Sequence, residues 1–223
     1  MKTKFILSTA IAAVVVLSAC KKDKTPAQPA DPGAFKVEVS GKIVTVKNLP
    51  ADTIVTVTSQ GQPIGTGHYS FFSLETNQWI ANSDSATTKW DLAFAGSTIR
   101  VNNATSGPGV GGAFVQVANF ADVASVSVDS AFRIDNHPVS YAIVKGSGKG
   151  WYNYDGVNVL LTPIAGRTLI VRTASGKYAK VEILNFYKGG VTLSTTASDA
   201  DKTYLQRYYT FRYTFQSNGS KTF

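Results

Sequence analysis

From residue 34 onward, apolar residues recur at every second position in short runs divided by turn residues. Phe35, Val37 and Val39 alternate with Lys36 and Glu38, Val44 and Val46 flank Thr45, and Val55 and Val57 flank Thr56. Lys89–Phe94, Thr98–Val101, Val126–Val128, Thr168–Arg172 and Lys180–Leu184 have the same character, and Tyr209–Phe215 alternates aromatic and polar residues without a break. A period of two places successive side chains on opposite faces of a strand, so each run predicts a half-buried β-strand. Leu49-Pro50-Ala51-Asp52, Asn102-Asn103, Gly146-Ser147-Gly148 and Ser175-Gly176-Lys177 carry turn chemistry. No stretch sustains a period of 3.6; the best helix candidate, Ser198–Gln206, is short and polar. The pattern predicts one antiparallel all-β domain, a sandwich or a partly closed barrel.

The N-terminus follows a different pattern. Lys2 and Lys4 precede an apolar run, Phe5–Leu17, which ends in Leu17-Ser18-Ala19-Cys20. A positive start, an apolar segment and small residues before a cysteine describe a bacterial lipoprotein signal. The competing reading is a chance cysteine at the end of a hydrophobic stretch. It leaves unexplained that this is the single cysteine of the chain and that a Lys-, Pro- and Ala-rich spacer follows at once. The expected organisation is a signal peptide over 1–19, a tether over 20–33 carrying a lipid on Cys20, and an all-β domain over 34–223. Phe5–Leu17 is too short for a committed membrane span, so attachment to the outer membrane, on the cell-surface or the periplasmic side, would come from the lipid anchor.

Composition removes several kinds of chemistry. The formal charge is +8 over 223 residues, but without the signal and tether it falls to about +5, and the remaining Lys and Arg are scattered. No basic run is interleaved with aromatics, which argues against a nucleic-acid partner. A mild positive surface suits acidic ligands such as carboxylate-bearing tetrapyrroles. With Cys20 lipidated, no thiol remains, Met1 is the only methionine, and His68 and His137 are the only imidazoles. Two histidines without thiols make a poor zinc set, and no Gly-x-Ser-x-Gly marks a serine nucleophile. Gly107-Pro108-Gly109-Val110-Gly111-Gly112 lacks the Lys-Ser/Thr of a phosphate loop; it is expected to be a wide loop or bulge needing positive φ. No enzymatic activity is expected.

The aromatic residues are the remaining resource. Trp151-Tyr152-Asn153-Tyr154-Asp155-Gly156 places three aromatics in four residues beside the Lys145–Gly150 loop. On a strand, Trp151 and Asn153 share one face and Tyr152 and Tyr154 the other. An outward tyrosine pair would stack on a flat ligand or offer a phenolate to ferric iron. Alternatively, these residues close a β core with their hydroxyls at the surface.

The chain also carries an ordered set of motifs. They are the lipobox and tether, Tyr69-Ser70-Phe71-Phe72-Ser73, Lys89-Trp90-Asp91-Leu92-Ala93-Phe94, and Ile99-Arg100-Val101-Asn102 with Gly107–Gly112. Gly150-Trp151, Arg167–Arg172, Gly176–Leu184 and Tyr208–Tyr213 complete the set. In this order they resemble the HmuY-like haem-binding lipoproteins of Gram-negative bacteria. The resemblance implies an all-β fold with a long twisted antiparallel sheet. It also implies capture of haem or a related tetrapyrrole and delivery to an outer-membrane receptor. Members of that family clamp haem iron between two histidines, or in some relatives methionines. Here the second histidine would fall near Asp155-Gly156, where there is none, and His137 does not align by spacing. The candidate haem contacts are therefore His137, as an axial ligand to iron, with Tyr152 and Tyr154, and with Trp151 packing the pocket. The alternative is an accessory lipoprotein of the same fold, binding a protein or a glycan instead of haem.

Overall fold

The computed structural model describes residues 33–126 and 132–223; the signal, Cys20, nearly all of the tether and the Ser127-Val128 part of one strand candidate lie outside them. The chain runs through β1 (Lys36–Ser40), β2 (Ile43–Pro50), β3 (Ile54–Val57), β4 (Pro63–Gly65), β5 (Ser70–Ser73), β6 (Gln78–Ile80) and β7 (Leu92–Ala95). It continues through β8 (Thr98–Val101), β9 (Gly112–Val117), β10 (Tyr152–Asp155), β11 (Leu160–Pro163), β12 (Arg167–Arg172) and β13 (Tyr178–Tyr187). The helix α1 (Asp199–Tyr204) and the strand β14 (Gln206–Gln216) follow. Ser198 caps α1 by accepting the Asp201 amide at 3.0 Å, a bond that satisfies one of the open donors of the first turn.

Six strands form an antiparallel sheet in the order β1-β2-β14-β13-β12-β9, and four form a second in the order β6-β5-β7-β8. β3–β4 and β10–β11 are separate hairpins. The two larger sheets pack face to face, as the period-two pattern anticipates. Tyr209, Phe211 and Tyr213 of β14 are all fully buried and meet residues from the smaller sheet. Phe72 lies 5.5 Å from Phe211, and Phe94 lies 4.8 Å from Tyr209 and 5.4 Å from Phe211, centroid to centroid. Val46, Leu49, Leu169, Val171 and Val181 complete this core from the larger sheet. Fully burying one such side chain is worth about 1.5–3 kcal/mol, so the aromatic alternation of β14 supplies much of the sandwich's cohesion.

The opposite face of the larger sheet is closed by a smaller cluster. Ile170 packs there with Val123 and Val126, flanked by Phe114, Phe132 and Phe223. Lys180 is buried on this side, and its ammonium donates to the carbonyls of Phe120 (2.9 Å) and Val123 (2.7 Å).

Three local expectations are corrected. Leu49 and Pro50 are not in a turn: they end β2, opposite Tyr209 and Tyr208 of β14, and the chain bends only at Ala51-Asp52. In β3 the buried residue is Ile54, while Val55 and Val57 face out. The Gly107–Gly112 loop contains no positive φ. Its glycines are needed for close approach instead: a Cβ on Gly109 would lie 2.8 Å from the Asn102 carbonyl and 2.8 Å from the Ala174 Cβ, and one on Gly111 would lie 2.8 Å from the Asn102 carbonyl. Asn102 is the post around which this loop is wound. Its Nδ2 donates to the carbonyls of Thr87 (2.9 Å) and Trp90 (2.8 Å), and its Oδ1 accepts from the Gly109 amide (2.9 Å).

Candidate functional site

The Gly96-Ser97 turn joining β7 to β8 is tied to both flanking elements. The Gly96 carbonyl accepts from the Tyr209 hydroxyl (2.9 Å), and the Ser97 carbonyl accepts from Trp151 Nε1 (3.1 Å). Trp151 is buried and packs 5.2 Å from Tyr209 and 5.6 Å from Phe186. It is thus a core residue that fixes where β10 begins. The loop before it is held by Arg167, whose guanidinium donates to the carbonyls of Gly150 (2.5 Å) and Gly148 (2.8 Å). The Ser147 hydroxyl accepts from the Tyr154 amide at 2.8 Å, and the Tyr187 hydroxyl accepts from the Leu161 amide at 2.8 Å. These bonds seat the β10–β11 hairpin beside the sandwich.

Between the hairpin and the sandwich lies a cavity of about 300 Å³, lined by Tyr152, Tyr154, Leu161, Phe186, Ser147 and Arg207, with Ser97 and Gln206 also at its wall. Tyr152 and Tyr154 therefore share a face, as strand alternation requires, but they are not an outward pair. Tyr152 is buried, with its hydroxyl accepting the Gly146 amide at 3.2 Å and lying 3.4 Å from Ser97 Oγ. Tyr154 is 49% exposed and presents its ring to solvent. The hairpin tip continues this apolar surface through Val157 and Val159, both exposed. Among the described residues Arg207 is the one charged member of the lining, and its Nη1 is held by the Asp52 carbonyl (2.7 Å) and carboxylate (3.1 Å). Burial pushes the phenols of Tyr187 and Tyr209 above their ordinary range, so both remain neutral hydrogen-bonding groups behind the cavity.

The two histidines stand elsewhere. His68 is exposed two residues before β5, and His137 is half-buried, its amide donating to Thr105 Oγ1 at 2.8 Å. Neither lines the Tyr154 cavity. The segment bearing His137 is pinned by Asp135, whose carboxylate accepts the amides of Val101 (2.9 Å) and Ala142 (2.8 Å). The cavity thus suits a flat apolar ring by its aromatic walls, and Tyr154 is its exposed phenol; a two-histidine clamp is not among its residues. Leu161, Phe186 and Arg207 escaped the sequence reading. Leu161 and Phe186 look like any strand residue, and Arg207 is brought in from β14.

The HmuY protein family matches residues 66–198, more than half of the chain. The chain belongs to the HmuY family. The HmuY match includes β10, β11 and β13, hence Tyr152, Tyr154, Leu161 and Phe186, and stops short of Gln206 and Arg207. Among solved structures, a HmuY-like protein of Bacteroides vulgatus is 14% identical, covering 81% of this chain and 96% of its own, with a TM-score of 0.47. The apo HmuY analogue of Tannerella forsythia is 15% identical, covering 82% and 97%, with a TM-score of 0.41. At such identities and scores no residue correspondence follows. No curated protein matches the chain.

Proposed function

We propose that this HmuY-family chain is a non-enzymatic lipoprotein that binds haem or a related tetrapyrrole and passes it to an outer-membrane receptor. Residues 1–19 are its signal peptide, and a lipid on Cys20 tethers the domain to the outer membrane. Family membership supports the reading. The observation that carries it is the exposed apolar strip of Tyr154, Val157 and Val159 running into a cavity walled by Tyr152, Leu161 and Phe186. A tetrapyrrole exceeds the 300 Å³ enclosed there, so it enters edge-first and leaves part of its face against the hairpin. Burial of that face contributes roughly 25 cal/mol per Å², which allows useful affinity with a single axial ligand or none.

Tyr154 is the phenol positioned to reach ferric iron, Tyr152 packs against the ring, and Trp151 supports both from the core. His137 is the other candidate axial ligand, although it does not line this cavity. A haem titration followed at the Soret band, under oxidising and reducing conditions, tests the reading. A saturable shift with an equimolar end point is expected, reduced by Tyr154→Phe if the phenol ligates, or by His137→Ala if the imidazole does. No shift beyond that of free haem would leave the accessory reading, in which the same fold serves a protein or glycan partner; the lack of any histidine at the cavity favours that alternative.

A further inference from the structure

On the face of the four-stranded sheet opposite Phe72 and Phe94, Phe71, Ala93 and Arg100 stand in cross-strand register. Above them opens a second cavity of about 610 Å³, lined by Tyr69, Phe71, Trp90, Arg100 and Ser106 together with the 104–108 loop. It shares no lining residue with the Tyr154 cavity.

Arg100 is unusual there. Its guanidinium carbon lies 4.2 Å from the Tyr69 ring centroid and 5.8 Å from that of Tyr141, yet among the described residues it pairs with no carboxylate. Its Nε is buried without a hydrogen-bond partner among the described residues, and so is the hydroxyl of Ser106. Both unpartnered groups belong to the lining of this one cavity. Asp135, whose carboxylate accepts the Val101 and Ala142 amides, forms no ion pair with Arg100. A buried donor left unmade is costly, and more so when charged, so turning these side chains toward a ligand that completes their bonds recovers that cost on binding.

The walls indicate the remainder of the ligand. Phe71 packs 4.9 Å from Trp90, which is fully buried behind it and fixed by its Nε1 donating to the Ser85 carbonyl at 2.9 Å. The loop bearing Ser106 is held by the Asn102 hydrogen bond to Gly109. Among the described residues, no acidic side chain lines the cavity. A planar guanidinium edge matches a carboxylate, a hydroxyl beside it adds a further donor, and aromatic walls accept a ring.

We propose that this cavity is a binding site for a small aromatic carboxylate, with its anion on Arg100 and Ser106 and its ring against Phe71. This site stands on its own residues and does not require haem at the Tyr154 cavity. The test is calorimetric titration of the protein with 2-naphthoate and with the neutral 2-naphthamide. Naphthoate should bind saturably at one site with a Kd below about 1 mM, and the amide about tenfold or more weakly. Arg100→Gln should weaken naphthoate about tenfold or more, Arg100→Lys less, and Ser106→Ala by a few fold. Thermal midpoints identify any variant whose fold has changed, in which case Ser106→Ala and the amide comparison decide. Absence of saturation, equal binding of acid and amide, or naphthoate binding unaffected by a folded Arg100→Gln variant and by Ser106→Ala would each overturn the proposal.

Discussion

Replacing Asn102 by alanine tests the account of the glycine loop directly. The side chain is fully buried and makes three hydrogen bonds to backbone groups: two from Nδ2, to Thr87 and Trp90, and one to Oδ1, from Gly109. Each partner left unsatisfied in the interior costs about 1–3 kcal/mol. The Thr87 and Gly109 bonds are only partly buried, so water can relieve some of that cost, and the expected loss is about 3–4 kcal/mol. This is a large fraction of the roughly 5–15 kcal/mol typical of a domain. Asn102→Asp is the sharper variant, because it keeps the shape but replaces the Nδ2 donor with an acceptor facing two carbonyls. It should be at least as unstable as the alanine variant at neutral pH. Urea denaturation gives both values; a loss below about 1 kcal/mol for Asn102→Ala, or an aspartate variant near wild type, would refute the role assigned to this residue.

Other outcomes follow from the same structure. Burial, with a smaller contribution from Glu75, pushes the Asp91 carboxyl up to about 6 from an ordinary 3.8, even though the amides of Leu74 (2.7 Å) and Ala174 (2.8 Å) donate to it. The folded state therefore holds this proton more tightly than the unfolded state does. Its contribution is present below about pH 4 and is lost as pH rises towards 6, up to about 3 kcal/mol in all. Stability measured across that window should fall less steeply in Asp91→Asn, and parallel slopes would exclude Asp91 as the source. Gly109→Ala should cost about 1–3 kcal/mol through overpacking against Asn102 and Ala174. Gly41→Ala, at φ +58° with nothing within 4 Å, should cost only about 1 kcal/mol of backbone strain; thermal unfolding that reversed this order would contradict the close-approach reading. Tyr187→Phe removes the acceptor of the Leu161 amide and should cost about 1–2 kcal/mol. Faster amide exchange at Leu161 is its signature, and unchanged exchange would show that the hairpin is seated by other contacts.

How much of this was legible beforehand depends on how local the determining physics is. Apolar residues at every second position located β8 at its observed bounds, the core of β12, β13 and β14, and the inward row of Tyr209, Phe211 and Tyr213, since alternation is a property of consecutive residues. Ser198 followed by a short polar run marked the one α-helix among the described residues by the same kind of local signal. That Tyr152 and Tyr154 share a face also follows from period two. That one is buried and hydrogen-bonded while the other is exposed does not, because burial depends on what packs above the strand. The 300 Å³ cavity needs Phe186 from β13 and Arg207 from β14, and the 610 Å³ cavity needs Tyr69, Arg100 and Ser106 from three separate segments. Asn102 read as turn chemistry, and only the folded chain shows it holding the loop of glycines whose missing Cβ atoms let that loop close. His137 was placed near the tyrosines by chain position, whereas hydrogen bonds made by Asp135 and Thr105 hold its segment elsewhere. Strand identity and facing were thus determined by residue order alone; which side chains share a cavity was decided by contacts between distant segments, which sequence order does not encode locally.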